Sequence, residues 1–162
     1  MSDLLATEPW VRGVAFAVSV GILLALEALF PRRAAQRAHV WSNVGLFVTG
    51  TLAVRLVSIT SVTGIAAMAG SKQWGLFNSI AAPYWLEFPI AVLLLDFSMY
   101  LQHRLFHWVP WLWRLHAVHH SDIAFDVTTG IRFHVGELLV SFGLKLLIVI
   151  ALGASVAVVL AF

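Results

Sequence analysis

The sequence predicts an all-α integral membrane bundle of about four transmembrane helices, with a histidine-rich helical segment on the cytoplasmic side. Three observations predict it. Of the 162 residues, 60% are hydrophobic and only 11% are charged, against about 25% charged in an ordinary soluble domain. Apolar stretches recur that are long enough to cross about 30 Å of hydrocarbon. Tryptophans mark the ends of those stretches. Together these make residues 1–162 a single membrane domain.

The first apolar run extends from Val11 to Phe30, interrupted only by Arg12 and by Glu27 near its end. Pro31-Arg32-Arg33 closes it. The leading MSDLLATEPW is acidic and no small-residue cleavage site follows, so the run reads as a retained span and not a signal peptide. The second run, Val40 to Met68, holds Arg55 and many Ser, Thr and Gly residues, and is expected to be tilted or broken. Gly45, Gly50 and Gly64 suggest close helix contacts there. The third covers Trp85 to Gln102 and is expected to continue as helix to His107. The fourth starts near Val135 and runs to the C-terminus, with Glu137 and Lys145 in its early turns.

Trp10, Trp41, Trp74, Trp85, Trp108, Trp111 and Trp113 all lie at or just outside a span end. Indole rings favour the headgroup level, so this is the pattern of an aromatic belt. Arg32, Arg33 and Arg37 lie between the first two spans, and Arg104, Arg114 and Arg132 between the last two. The intervening loop offers only Lys72. The positive-inside rule then puts the histidine segment in the cytoplasm and both termini outside. The expected location is a bacterial inner membrane. A net charge of +2, without basic runs interleaved with aromatics, excludes a nucleic-acid surface. The absence of cysteine excludes disulfides, thiolate metal sites and Cys nucleophiles. No phosphate loop, Ser-His-Asp pattern or dinucleotide fingerprint is present.

Six of the seven histidines fall between His103 and His134. His103 and His107 are four apart; His116, His119 and His120 follow at separations of three and one. Neutral imidazole is a good ligand for iron, zinc and copper, and helical residues four apart project from one face. At about 100° per residue, Asp96, Tyr100, His103 and His107 lie within an arc of about 60°. His116, His119 and His120 share a second face. Pro110 between the two sets is positioned to turn the chain so that the faces converge. His134 could add a sixth nitrogen. Five histidines at these spacings beside a membrane helix point to a metal centre working on a molecule dissolved in the bilayer. His39, isolated, reads as a structural residue.

Asp96 lies inside a span, where a carboxylate is costly and is expected to face the bundle interior with a partner; Lys145, at similar depth, is the candidate. Asp122 and Asp126 are candidates to accept an imidazole N–H and fix its tautomer, or to cap a helix. Arg132 reads as a loop anchor or headgroup ligand. Arg55 would need a carboxylate partner.

The runs DFSMYLQHRLFH, LWRLHAVHHSD and DVTTGIRFHVGE together resemble the fatty acid hydroxylase and sterol desaturase superfamily, integral-membrane histidine-box di-iron oxygenases. The resemblance spans residues 87–137 closely, and the flanking spans only in character. It implies that His103, His107, His116, His119 and His120 are iron ligands, with His134 as a further one. It places Asp96 and Tyr100 where the family has an acidic residue and a tyrosine before the first box. Arg132, His134 and Glu137 match the family's Arg-x-His-Pro-x-Glu element, with Val135 in place of proline. The implied activity is oxygen-dependent hydroxylation or desaturation of a lipid, such as a fatty acyl chain, sterol or carotenoid. Electrons would come from a separate carrier protein, because the sequence has no flavin, haem or iron–sulfur motif.

The family carries a third box, a further His-x2-His-His, and no histidine follows His134 here. Two irons with mainly imidazole ligation need on the order of eight protein ligands. The sequence therefore reads as part of a longer enzyme, as a naturally short form, or as a site completed by another subunit. Two other readings stand beside the oxygenase. One is a non-catalytic membrane protein that binds or transports a metal ion; a transporter would spread ionisable residues through several spans. A haem carrier would use isolated histidines facing one another across two spans.

Overall fold

The computed structural model describes residues 2–31, 39–58, 61–80, 83–123 and 125–162. Arg32, Arg33 and Arg37 lie outside the described residues. Among those described, every regular element is helical: α1 Ser2–Leu29, α2 Val40–Val57, α3 Val62–Ser71, α4 Leu76–Ile80, α5 Tyr84–Trp108, α6 Pro110–His120, a 3-10 helix at Val127–Ile131, α7 Val135–Leu152 and α8 Val156–Ala161.

Three helical stretches are long and apolar enough to cross a membrane, within Val40–Ile80, Tyr84–Trp108 and Val135–Leu152. The sequence predicts about four. The apolar part of α1, Gly13–Leu29, is the shortest of the candidate runs. In none of the three is more than 19% of the most apolar stretch buried within the chain. Exposing apolar surface to water costs roughly 25 cal/mol for each Å², so these helix faces suit hydrocarbon. All seven tryptophans are exposed, from Trp113 at 38% to Trp41 and Trp108 at 82%, as residues of an interfacial belt would be.

Two predicted spans are interrupted. The second breaks between α2 and α3, where Ser58 and Ser61 are extended and the Ser61 hydroxyl accepts the Gly64 N–H at 3.0 Å, starting a new helix. The fourth does not run unbroken to the C-terminus. Gly153 adopts a left-handed conformation, φ 66°, and ends α7 before α8 begins. Gly75, φ 95°, meets Gly153 so closely that a Cβ on Gly75 would lie 2.1 Å from the Gly153 nitrogen. Only two glycines permit that approach.

Ala66, Phe77, Ala91, Leu95, Val149, Ala154, Val158 and Val159 bring α3, α4, α5, α7 and α8 together. Alanines at these contacts let helix backbones approach, the usual means of helix association in lipid. A second, polar anchor joins α2 to the segment after α6. Asn43 is fully buried and gives its Nδ2 protons to Asp122 Oδ2 at 2.9 Å and Thr128 Oγ1 at 2.7 Å. Its Oδ1 accepts from Arg132 Nη1 at 2.7 Å. Left unpaired, a buried amide of this kind costs about 1–3 kcal/mol, so the contacts hold α2 against this segment.

Candidate metal centre

Helix α5 runs unbroken through His103 and His107, and α6 follows almost at once. Val109 is extended, φ −92° and ψ 118°, and Pro110 is the first residue of α6. The proline ring disfavours helical geometry in the residue before it, while its own fixed φ suits a first helical turn. The chain therefore bends at Val109, and α6 packs back against α5.

This bend brings two histidine pairs together. His103 and His107 from α5 meet His116 and His120 from α6, with one ring nitrogen from each within 4.8 Å of all the others. Within each pair the Nε2 atoms are 3.2 Å apart for His103–His107 and 3.1 Å for His116–His120. Two imidazoles on one ion with bonds of about 2.1 Å have nitrogens about 3.0 Å apart at a right angle and about 3.4 Å apart at the tetrahedral angle. Both observed separations fall in that interval. Four neutral nitrogen donors suit iron, zinc or copper, so the residues fit a transition-metal ion. His116 is buried and the other three histidines are exposed, which leaves one side of the cluster open to a further ligand.

The tautomer of His116 is set from behind. Its Nδ1 lies 2.7 Å from Glu137 Oε1 in the first turn of α7. An ionised Glu137 only accepts, and Nδ1 then carries the proton while Nε2 keeps its lone pair for the cluster. Burial, followed by the charges of His107 and His119, lowers His116 to about 4. His120 is lowered as well, first by burial and then by His116, His119, His107 and His103. Both imidazoles are thus held in the neutral, ligating form.

The other two predicted ligands sit differently. His119 Nδ1 lies 3.3 Å from the Arg132 carbonyl oxygen, and its ring stacks on Phe133 with centroids 4.8 Å apart. The ring is adjacent to the four-histidine group without sharing its focus, since His119 is a single residue from His120 and leaves α6 about 100° away. Its Nε2 is unprotonated when Nδ1 donates to the carbonyl. His134 caps α7: its Nδ1 accepts the Gly136 N–H at 3.0 Å. The neutral ring then carries its proton on Nε2, with no free lone pair there. The structure does not bring His134 into the group. His39 stands at the start of α2, outside the cluster.

Asp96 and Tyr100 lie on α5, N-terminal to His103, and both are exposed. Asp96 does not turn into the bundle as expected. It shares its helix face with His103 and His107, and that face is the open one. Tyr100 stacks on Phe97, centroids 6.1 Å apart. Lys145 Nζ lies 4.6 Å from the centroid of the Phe162 ring. Asp126 is a helix cap: its carboxylate accepts the Thr128 N–H at 2.7 Å and completes a capping box with Thr129. Asp122 is buried and accepts from Asn43 and from Thr129 Oγ1 at 2.9 Å. Arg55 is exposed in the last turn of α2, where a cation offsets the negative end of the helix dipole.

Glu137, not Asp122 or Asp126, orients a cluster histidine. Its place three residues after His134 in the Arg-x-His-x-x-Glu element is the signal that could have found it. Beside the cluster an open groove of about 740 Å³ is lined by Leu101, Arg104, Leu105, His107 and Trp108. It is largely apolar and reaches the histidine cluster at His107.

Fold and site together define a helical protein with helices long and apolar enough to cross a membrane and a multi-histidine cluster at the end of one of them. Residues 88–162, from α5 through α8, match the model of the fatty acid hydroxylase family, consistent with the fatty acid hydroxylase and sterol desaturase superfamily. That family comprises oxygenases and hydroxylases that act on lipids and are typically iron-dependent. No solved structure matches the chain.

Proposed function

We propose that this protein takes part in the oxygen-dependent hydroxylation or desaturation of a membrane lipid at an iron centre. The observation that carries the reading is the convergence of His103, His107, His116 and His120 from two helices at the end of an apolar helix. Bound iron supplies the redox chemistry that activates oxygen toward an unreactive C–H bond.

The chain's own residues perform the remaining tasks. His103, His107, His116 and His120 hold the first ion, and Glu137 keeps His116 in the tautomer that presents Nε2. His119, with Nδ1 tied to the Arg132 carbonyl, presents a lone pair suited to the second ion of a di-iron site. The open, largely apolar groove lined by Leu101, Leu105 and Trp108 suits an acyl or isoprenoid chain. Arg104 stands at the same groove, where it can meet a polar headgroup. Asp96 and Tyr100, on the open face of α5, border the approach to the site. Electrons come from a separate carrier protein. Arg104, Arg114 and Arg132 favour a cytoplasmic position for the cluster.

Clustering at one end of the fold supports this reading over a transport pathway, which would place ionisable groups through the depth of several spans. The test is lipid analysis by mass spectrometry of bacterial membranes carrying the protein or its His107→Ala variant, with iron measured on the purified protein. A hydroxylated or newly unsaturated lipid that depends on His107 is the expected result. Iron binding without any such product would favour a non-catalytic metal-binding protein.

A further inference from the structure

We propose that Asn43, on α2 and outside the segment that matches the family, is a positioning residue for the histidine cluster. The inference rests on the metal-centre reading above. It follows from a continuous set of contacts between Asn43 and the last turn of α6.

Asn43 is completely buried, and Arg132 Nη1 reaches its Oδ1 at 2.7 Å. The same guanidinium holds the end of α6 with its other nitrogens. Nε donates to the Val118 carbonyl at 2.8 Å, and Nη2 donates to Ser121 Oγ at 3.1 Å. Ser121 Oγ itself donates to the Val118 carbonyl at 2.8 Å. The Arg132 carbonyl oxygen accepts from His119 Nδ1. Between Val118 and Ser121 lie His119 and His120, so the guanidinium brackets the adjacent histidines. Asn43 also donates to Asp122, two residues beyond His120. One side chain thus sets both the arginine and the aspartate that flank this turn.

The last turn of a helix has carbonyls with no partner inside the helix, and unclamped helix ends open readily. His120 is exposed on one side, and on the other its ring meets those of His107, Trp113 and His116. Its Nε2 stays 3.1 Å from His116 Nε2 because the backbone beneath it is held. Asn43 suits this role chemically. An amide donates to a carboxylate and accepts from a guanidinium at once, which no apolar or singly functional side chain does.

The test uses Asn43→Asp, Asp122→Asn and the double variant. Asn43→Asp puts two carboxylates where one amide and one carboxylate met; the double variant restores a complementary pair with the roles exchanged. Two readouts are taken on detergent-purified protein: Co²⁺ affinity with its visible ligand-field spectrum, and amide hydrogen exchange across residues 116–122. Asn43→Asp is expected to weaken Co²⁺ binding about tenfold, the lower end for groups that orient ligands. It should also alter the cobalt band and speed exchange in that segment, while helix content is retained. The double variant is expected to recover both readouts to within about threefold of wild type. If Asn43→Asp does not fold, Arg132→Lys keeps the charge, loses the fork, and should shift both readouts in the same direction. Wild-type cobalt binding and wild-type exchange in folded Asn43→Asp would overturn the proposal, as would a double variant no better than the single. Failure of the wild-type protein to bind Co²⁺ would instead count against the metal centre, and the exchange measurement would still decide the role of Asn43.

Discussion

His116 and Glu137 are joined by a 2.7 Å contact between Nδ1 and Oε1, with both side chains buried. The pair links α6 to the first turn of α7, so the second histidine pair is oriented by a helix that contributes no histidine to the cluster itself. A hydrogen bond between buried side chains of this kind contributes about 0.5–1.5 kcal/mol. Glu137→Gln keeps an acceptor but loses the charge, and should weaken metal binding by about 10-fold; Glu137→Leu should approach 100-fold. Competition against a chromophoric chelator measures both, and unchanged affinity in Glu137→Leu would remove the orienting role.

The four cluster histidines should behave as one unit. Single alanine substitutions at His103, His107, His116 and His120 should each reduce metal retention by more than the roughly 10- to 100-fold expected for residues that only support a ligand. His39→Ala should leave retention unchanged. Elemental analysis of dialysed protein separates the two groups, and a His107→Ala protein that keeps its full metal content would break the proposed ligand set.

His134 should report on helix stability. Its Nδ1 accepts the Gly136 N–H at the start of α7. His134→Ala should cost about 1 kcal/mol in stability, whereas His134→Asn, a good capping residue, should retain most of it. Thermal unfolding in detergent measures the difference. Equal losses in the two variants would show that the cap is not what His134 contributes.

The Gly75–Gly153 junction should tolerate no side chain. At Gly153, φ is 66° and an added Cβ would stand 2.5 Å from the Trp74 carbonyl oxygen. Left-handed backbone alone costs an L-residue about 1–2 kcal/mol, so Gly153→Ala should lose at least that much. Gly143, inside α7, has nothing within 4 Å of the place an alanine Cβ would take. Gly143→Ala should therefore gain about 0.5–1 kcal/mol. Opposite signs in thermal unfolding are the expected outcome.

Much of this protein is legible from residue order, because the relevant signals are local. Hydropathy marks apolar helices without any knowledge of their neighbours. A spacing of four residues puts His103 beside His107, and His116 beside His120, as soon as a helix forms. Val109-Pro110 announces the bend between them. The break after Val57 is likewise foreshadowed by Ser, Thr and Gly in the second apolar run.

Other features depend on which segments meet, and no local pattern encodes that. Residue order suggests Asp122 and Asp126 as partners for an imidazole. Only the packing of α7 beside α6 selects Glu137, while Asp122 turns to Asn43 and Asp126 caps a short helix. Helical phase separates His119 from His120, and the cap at α7 withdraws His134. A carboxylate inside a span is expected to turn inward, yet the face Asp96 shares with His103 and His107 is left open. Spacing along one helix settles which side chains share a face. Which face is covered, and by what, is decided by contacts between residues tens of positions apart, and those exist only once the chain has folded.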